Sequence, residues 1–215
     1  MMTLLQNTLL VALVLTSFGM LVSGRLGVYI RIVALQGVMV GLLPLVAGHA
    51  VPTLHLVFVA TAIIGLKGFV FPYLLSRALR ESKTRREMNP FVGHLSSVFF
   101  GILALLGSFW MDSRLSLQSH SSSELAIPMA FTTILIGLFL IVTRRTALSQ
   151  VIGFLVLENG IYAFGLAIVY EVPVLLELGV LMDVFVAVFV MGIAIYHINR
   201  EFDHMDIDRL NTLRG

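Results

Sequence analysis

SQVIGFLVLENGIYAFGLAIVYEVPVLLELGVLMDVFVAVFVMGIAIY, residues Ser149–Tyr196, is a pair of long apolar runs joined by the short turn Glu171-Val172-Pro173. At 1.5 Å per residue, each run is long enough to cross the roughly 30 Å of hydrocarbon in a bilayer. Three carboxylates lie within the runs, Glu158, Glu177 and Asp183, and Glu171 sits in the turn. An ionised carboxylate at the centre of a spanning helix costs roughly 2.5 to 3.5 kcal/mol on insertion scales. Glu158 and Asp183 fall near mid-helix, so a functional use for them is the first expectation.

The rest of the chain has the same character. It is 58% hydrophobic and only 12% charged, and its mean hydropathy is +0.99. Ordinary soluble domains carry about 25% charged residues. The composition therefore points to an all-α, polytopic integral membrane protein. A closed β-barrel would show alternating strands of about ten residues, and these are absent from the sequence. With no cysteine, disulfides and cysteine-ligated zinc, iron–sulfur or haem centres are excluded. No paired mid-membrane histidines offer themselves to a haem, and no cofactor is expected. The basic pI of about 9.2 comes from charges spread over short loops, which reads as membrane topology and not as nucleic-acid binding.

Seven apolar runs are predicted as spans: about Leu4–Val22, Gly27–Val46, Pro52–Ala78, Phe91–Met111, Leu125–Thr143, Ser149–Tyr170 and Pro173–His197. The first lacks a basic leader region and a good cleavage site, and reads as an uncleaved helix. Residues 1–198 form one seven-helix membrane domain, with a hairpin unit at about 149–197, and 199–215 form a polar tail. Placing the N-terminus outside puts twelve basic residues on the inner side and only Arg114 on the outer, with Lys67 inside the membrane. That imbalance predicts an outside N-terminus and a cytoplasmic C-terminus. The inner loop Ser76–Asn89, with five basic residues, reads either as a topology signal or as a dock for an acidic peripheral subunit.

Several intramembrane groups accompany the carboxylates. Lys67 lies near the middle of the third span, too deep to snorkel easily, and a buried lysine can release and regain a proton. Gly65, Gly68 and Pro72 around it predict a helix kinked or closely packed at the lysine. Tyr162 lies four residues after Glu158, on the same face, within reach of its carboxylate. Glu177 is six residues before Asp183, about 600° round the helix, nearer the outer surface, and reads as a mouth or interface residue. Gln36 in the second span can hydrogen-bond across helices or hold water. His94, opening the fourth span, can hand protons in or out, although an interface histidine is the plainer reading; His55 has the same standing. An offset of 121 residues aligns the turns at Pro52 and Pro173, so the hairpins carrying Gln36 with Lys67 and Glu158 with Asp183 are a candidate internal duplication.

The stretches LSQVIGFLVLENGIYAFGLAI and PVLLELGVLMDVFVAVFVMGIAI, with the ending LNTLRG, resemble the hydrogenase-4 component E family. Members are seven-helix membrane subunits of formate hydrogenlyase-type, group 4 nickel–iron hydrogenase complexes. The sixth and seventh spans are also similar to subunit K of complex I and its counterpart in multi-subunit cation/proton antiporters. There, two membrane glutamates on adjacent helices belong to the proton path. Glu158 matches the first by its LxxEN-like setting; Asp183 is similar in place to the second but is an aspartate.

The resemblance implies a membrane-arm subunit of a prokaryotic inner-membrane oxidoreductase complex, with no catalytic centre of its own. Its implied partners are other membrane proteins of the arm, antiporter-like and H-type, and peripheral cytoplasmic subunits that carry the redox centres. The expected function is proton or cation translocation through Glu158, Asp183 and Lys67, with Glu177, Tyr162, Gln36 and His94 as further path residues. A purely structural scaffold and a stand-alone secondary transporter are the rival readings. For the orientation, a reporter fused to the C-terminus is expected to be active in the cytoplasm, and activity on the periplasmic side would overturn the charge argument.

Overall fold

A computed structural model describes residues 2–46, 54–81, 92–115, 123–168, 179 and 181–192. The helices are α1 (Met2–Val22), α2 (Leu26–Val46), α3 (Leu54–Gly65), a π-turn (Leu66–Val70), α4 (Phe71–Glu81), α5 (His94–Leu115), α6 (Ala126–Thr143) and α7 (Ala147–Ile168). A shorter apolar helix, α8, covers Leu181–Gly192. No strand occurs among the described residues, in keeping with the all-α expectation.

Six helices are long and apolar enough to cross a membrane: α1, α2, the continuous run Leu56–Arg80, the α5 segment His94–Arg114, α6 and α7. They match the first six expected spans. Of the seventh, predicted at about Pro173–His197, α8 is the described part. Glu171, Glu177, both Val-Pro turns, most of the inner basic loop and the whole tail lie outside the described residues.

The third span stays helical through Lys67 and widens there into a π-turn. Gly65 (φ −59°, ψ −48°) and Phe71 (φ −60°, ψ −48°) both keep helical geometry, and the Phe71 N–H donates to the Leu66 carbonyl, five residues back. Pro72 brings no N–H to the ladder, and the chain meets that loss with one widened turn immediately before it. Such π-turns insert a residue and re-aim the side chains on either side.

Packing centres on α7, the most enclosed spanning helix at 72% buried, whereas the third span and α5 are only 22% buried. The turn Arg144–Thr146 between α6 and α7 is too short to allow anything but an antiparallel pair. That pair is held backbone to backbone. A Cβ on Gly137 would fall 2.4 Å from the Leu157 nitrogen, and one on Gly160 would fall 2.7 Å from the Ile134 nitrogen. Small residues of this kind let helices approach in lipid, where burial of apolar area gives little preference for one partner over another. α1 and α2 complete the core against this pair, and stacked Phe100 and Phe139 (ring centroids 4.2 Å apart) join α5 to α6.

Two contacts fix the relative topology. Ser123, just before α6, hydrogen-bonds Asn7 near the start of α1. At the opposite end Arg144 is buried, with Nη2 3.5 Å from the Met20 carbonyl and its guanidinium 5.8 Å from the Tyr29 ring centroid. The α1–α2 and α6–α7 turns therefore share one side, as the span count requires. In the sequence Arg144 reads only as a loop charge; the structure folds it into the interface and leaves its neighbour Arg145 exposed.

Gly→Ala in a helix otherwise gains about 1 kcal/mol, so the glycine contacts can be tested by sign. Gly107→Ala, in open space on α5, should hold or raise the thermal midpoint of the purified protein. Gly137→Ala should lower it, with about 1–3 kcal/mol lost to overpacking. Equal shifts at both positions would mean that the α6–α7 backbones are not in contact.

Candidate functional site

The π-turn carries Lys67 inward against α2. A Cβ on Gly37 would lie 2.6 Å from the Lys67 Cβ and 2.7 Å from its carbonyl carbon, so only glycine lets α2 and the π-turn approach this closely. The sequence draws attention to small residues beside the lysine in its own helix. Gly65 faces open space, Gly68 packs against α2 (a Cβ there would lie 3.0 Å from the Val38 side chain), and the tightest contact is made by Gly37 of the neighbouring helix.

From there the Lys67 ammonium reaches two carboxylates on two other helices. Nζ is 3.1 Å from Oε1 of Glu158 on α7 and 3.3 Å from Oδ1 of Asp183 on α8. All three residues are buried, with exposures of 4% for Lys67, 6% for Glu158 and 0% for Asp183. These contacts are ion pairs by distance. Each pair is worth about 5 kcal/mol at an effective dielectric near 20, set against the desolvation of three charged groups. Asp183 also lies within electrostatic reach of Glu158 and Tyr162.

A third oxygen completes the surroundings of the ammonium. Asn159 Oδ1 accepts a hydrogen bond from Lys67 Nζ at 3.2 Å. Asn159 Nδ2 in turn donates to Gln36 Oε1 at 3.5 Å. Gln36, fully buried, donates from Nε2 to Ser17 Oγ (2.9 Å), Thr16 Oγ1 (3.0 Å) and the Leu13 carbonyl (3.3 Å) on α1. A polar thread thus runs from α8 and α7 through Lys67 to α1. Asn159, Thr16 and Ser17 are not singled out by the sequence alone. Asn159 carries one usable signal, a mid-span amide directly after the buried glutamate. Thr16 and Ser17 carry none, because hydroxyls in spanning helices commonly bond their own backbone.

The other expected path residues stand apart from this thread. Tyr162 is buried beside Glu158, but its hydroxyl has no hydrogen-bond partner among the described residues, and the bond to Glu158 is not formed. Both residues line a mainly apolar cavity of about 180 Å³ between α7 and α8, together with Gly179 and Met182. His94 is exposed at the start of α5, its Nδ1 3.4 Å from the Leu21 carbonyl. Glu177 lies outside the described residues. Among the described residues no group of three or more histidine, aspartate or glutamate side chains is placed to hold a metal ion.

Comparison with known proteins bears on the same region. The family model for NADH-ubiquinone/plastoquinone oxidoreductase chain 4L matches residues 125–215, which include Glu158, Asn159 and Asp183 but not Lys67. An uncharacterized protein of Mycobacterium tuberculosis is 35% identical over 86% of this chain and 84% of its own length. Hydrogenase-4 component E of Escherichia coli K12 is 26% identical over 74% of each chain, and the Shigella flexneri protein of that name matches to the same extent. The chain is similar to the hydrogenase-4 component E proteins over most of its length and to the chain 4L family over its C-terminal part. With six spanning-length apolar helices, it is a multi-pass membrane protein. No solved structure matches it significantly.

Removing one partner of a buried pair commonly costs about 3–5 kcal/mol because the charge left behind is uncompensated. Lys67→Met is accordingly expected to lower the thermal midpoint of the purified protein. Adding Glu158→Gln and Asp183→Asn to it should recover most of the loss. If the triple variant melts no higher than Lys67→Met alone, the three groups do not act as one electrostatic unit.

Proposed function

We propose that this chain is a membrane-arm subunit of a complex I-like or hydrogenase-type oxidoreductase in a prokaryotic inner membrane, and that Lys67, Glu158 and Asp183 take part in proton translocation through that arm. The single observation that carries the reading is one buried ammonium in contact with two carboxylates from two different helices. These similarities support the assembly, since a relative is named as a hydrogenase component and the matching family model as a chain of a quinone oxidoreductase. The seven-helix plan, the N-terminus-outside orientation and the division at residue 198 are parts of the same proposal.

With all three groups ionised the cluster carries one net negative charge; one added proton makes it neutral. Deep in a low-dielectric interior such a difference is large enough to be felt by neighbouring charges. A proton arriving at either carboxylate weakens its hold on Lys67 and strengthens the lysine's pairing with the other. Glu158 and Asp183 then alternate as proton carriers around one mobile cation. Tyr162, in the cavity beside Glu158, is positioned to contact water that serves the carboxylate. Neighbouring antiporter-like and H-type membrane proteins would continue the path, and peripheral cytoplasmic subunits would supply the redox energy.

In an assembled complex, Glu158→Gln and Lys67→Ala are each expected to lower coupled proton transport by about tenfold or more, equivalent to about 1.4 kcal/mol on the limiting step. Assembly of the complex should be retained. Unchanged coupled transport in both variants would overturn the relay, and loss of assembly with normal transport per assembled complex would point to a scaffold.

A further inference from the structure

The amide thread has a polarity that neither of its members can choose. The Leu13 carbonyl is an acceptor only. Ser17 Oγ gives its hydrogen to that carbonyl at 2.9 Å, and Thr16 Oγ1 gives its own to the carbonyls of Ala12 and Leu13, each at 2.9 Å. All three groups therefore offer lone pairs to Gln36, and only its NH₂ end can sit among them. Its oxygen must then face Asn159, whose NH₂ must donate, leaving the Asn159 oxygen toward Lys67. A lysine ammonium is a donor without acceptor capacity. Both ends of the thread demand the same orientation of both amides.

We infer that Gln36 and Asn159 are positioning residues: an anchor of fixed polarity, seated on α1, that holds the Lys67 ammonium between Glu158 and Asp183 and closes the relay on the α1 side. The anchor stands on the hydrogen-bond geometry, and its effect on transport rests on the function proposed above. Asn159 gives Lys67 one neutral acceptor that remains in place whichever carboxylate is protonated. Side-chain amides neither bind nor release protons near neutral pH, so Gln36 ends the path and does not extend it. The charged and titratable groups facing Lys67 come from α7 (Glu158, with Tyr162 nearby) and α8 (Asp183). From α1 and α2 the thread brings only neutral groups.

The test uses the intact complex with Gln36→Met, which keeps side-chain length and removes every hydrogen bond that Gln36 makes. Coupled transport is expected to persist with its pH midpoint moved by up to about one unit, because Asn159 loses the partner that holds its oxygen on the Lys67 ammonium and the bond to that charged group weakens. Thr16→Val combined with Ser17→Ala, which removes two of the three acceptors and leaves Gln36 in place, should move the midpoint in the same sense and serves if Gln36→Met does not assemble. Simple helix packing would lower the amount of complex without moving that midpoint. An unmoved midpoint in both variants, with Glu158→Gln still lowering transport, overturns the anchor and leaves the relay standing. If Glu158→Gln is fully active the relay falls, and melting of the complex still decides the anchor. Gln36→Met and Lys67→Met are expected to be non-additive in their melting midpoints, as for residues in one network. Additive shifts overturn it.

Discussion

A single lysine ammonium lies in the apolar interior with two carboxylates around it, and much of the local architecture follows from the need to keep it there. Moving an isolated ion from water into such surroundings costs several kcal/mol even after relaxation, and this cluster holds three ionisable groups. They are acceptable together only at contact distance, which requires three different backbone elements to converge on one point. Lys67 arrives from the π-turn, Glu158 from α7 and Asp183 from α8. Misplacing any of them by a few ångströms would leave a charge buried alone.

The convergence explains features that would otherwise look like separate irregularities. The widened turn at Leu66–Val70 carries Lys67 into the core. Gly37 removes the side chain that would collide with the lysine's backbone. Glycines along α6 and α7 bring those helices to backbone contact, which fixes the rotation of α7 and hence the directions of Glu158 and Asn159. A buried ion pair is weak evidence for stability; here its observable consequence is that helix rotation and register have one arrangement that satisfies it.

The sequence makes legible whatever depends on a residue's cost in hydrocarbon. Span positions, the absence of a soluble core and the singling out of Glu158, Asp183 and Lys67 all rest on that cost, and the described helices agree with the first six spans. It does not make legible which groups meet. In a membrane both the lipid-facing and the core-facing sides of a helix are apolar, so the faces do not differ in composition. Leu13 is fully buried and Leu15, two residues on, is 64% exposed, yet the residue type is the same. The meeting of Lys67 with Glu158 and Asp183 depends on such faces. So do the burial of Arg144 beside exposed Arg145 and the recruitment of Asn159. The kink or close packing expected from Gly65, Gly68 and Pro72 takes the form of a π-turn packed closely against α2, because the backbone has a second way to absorb a missing N–H.

Lysine suits this position better than the other strong cation would. Its ammonium is compact, sits on a flexible stem and has three donors arranged around one nitrogen. At Lys67 there are three oxygen neighbours from three residues, at 3.1, 3.2 and 3.3 Å. Arginine's planar fork matches one carboxylate bidentately and would commit to either Glu158 or Asp183. It is also permanently charged, which lysine is not. Of the two lysines in the chain, Lys83 falls in the basic loop and Lys67 in the core. All twelve other basic residues are arginine, so the choice at Lys67 runs against the preference of the rest of the sequence. A site that must share one cation between two anions accounts for that exception; a site that merely needed neutralising would not.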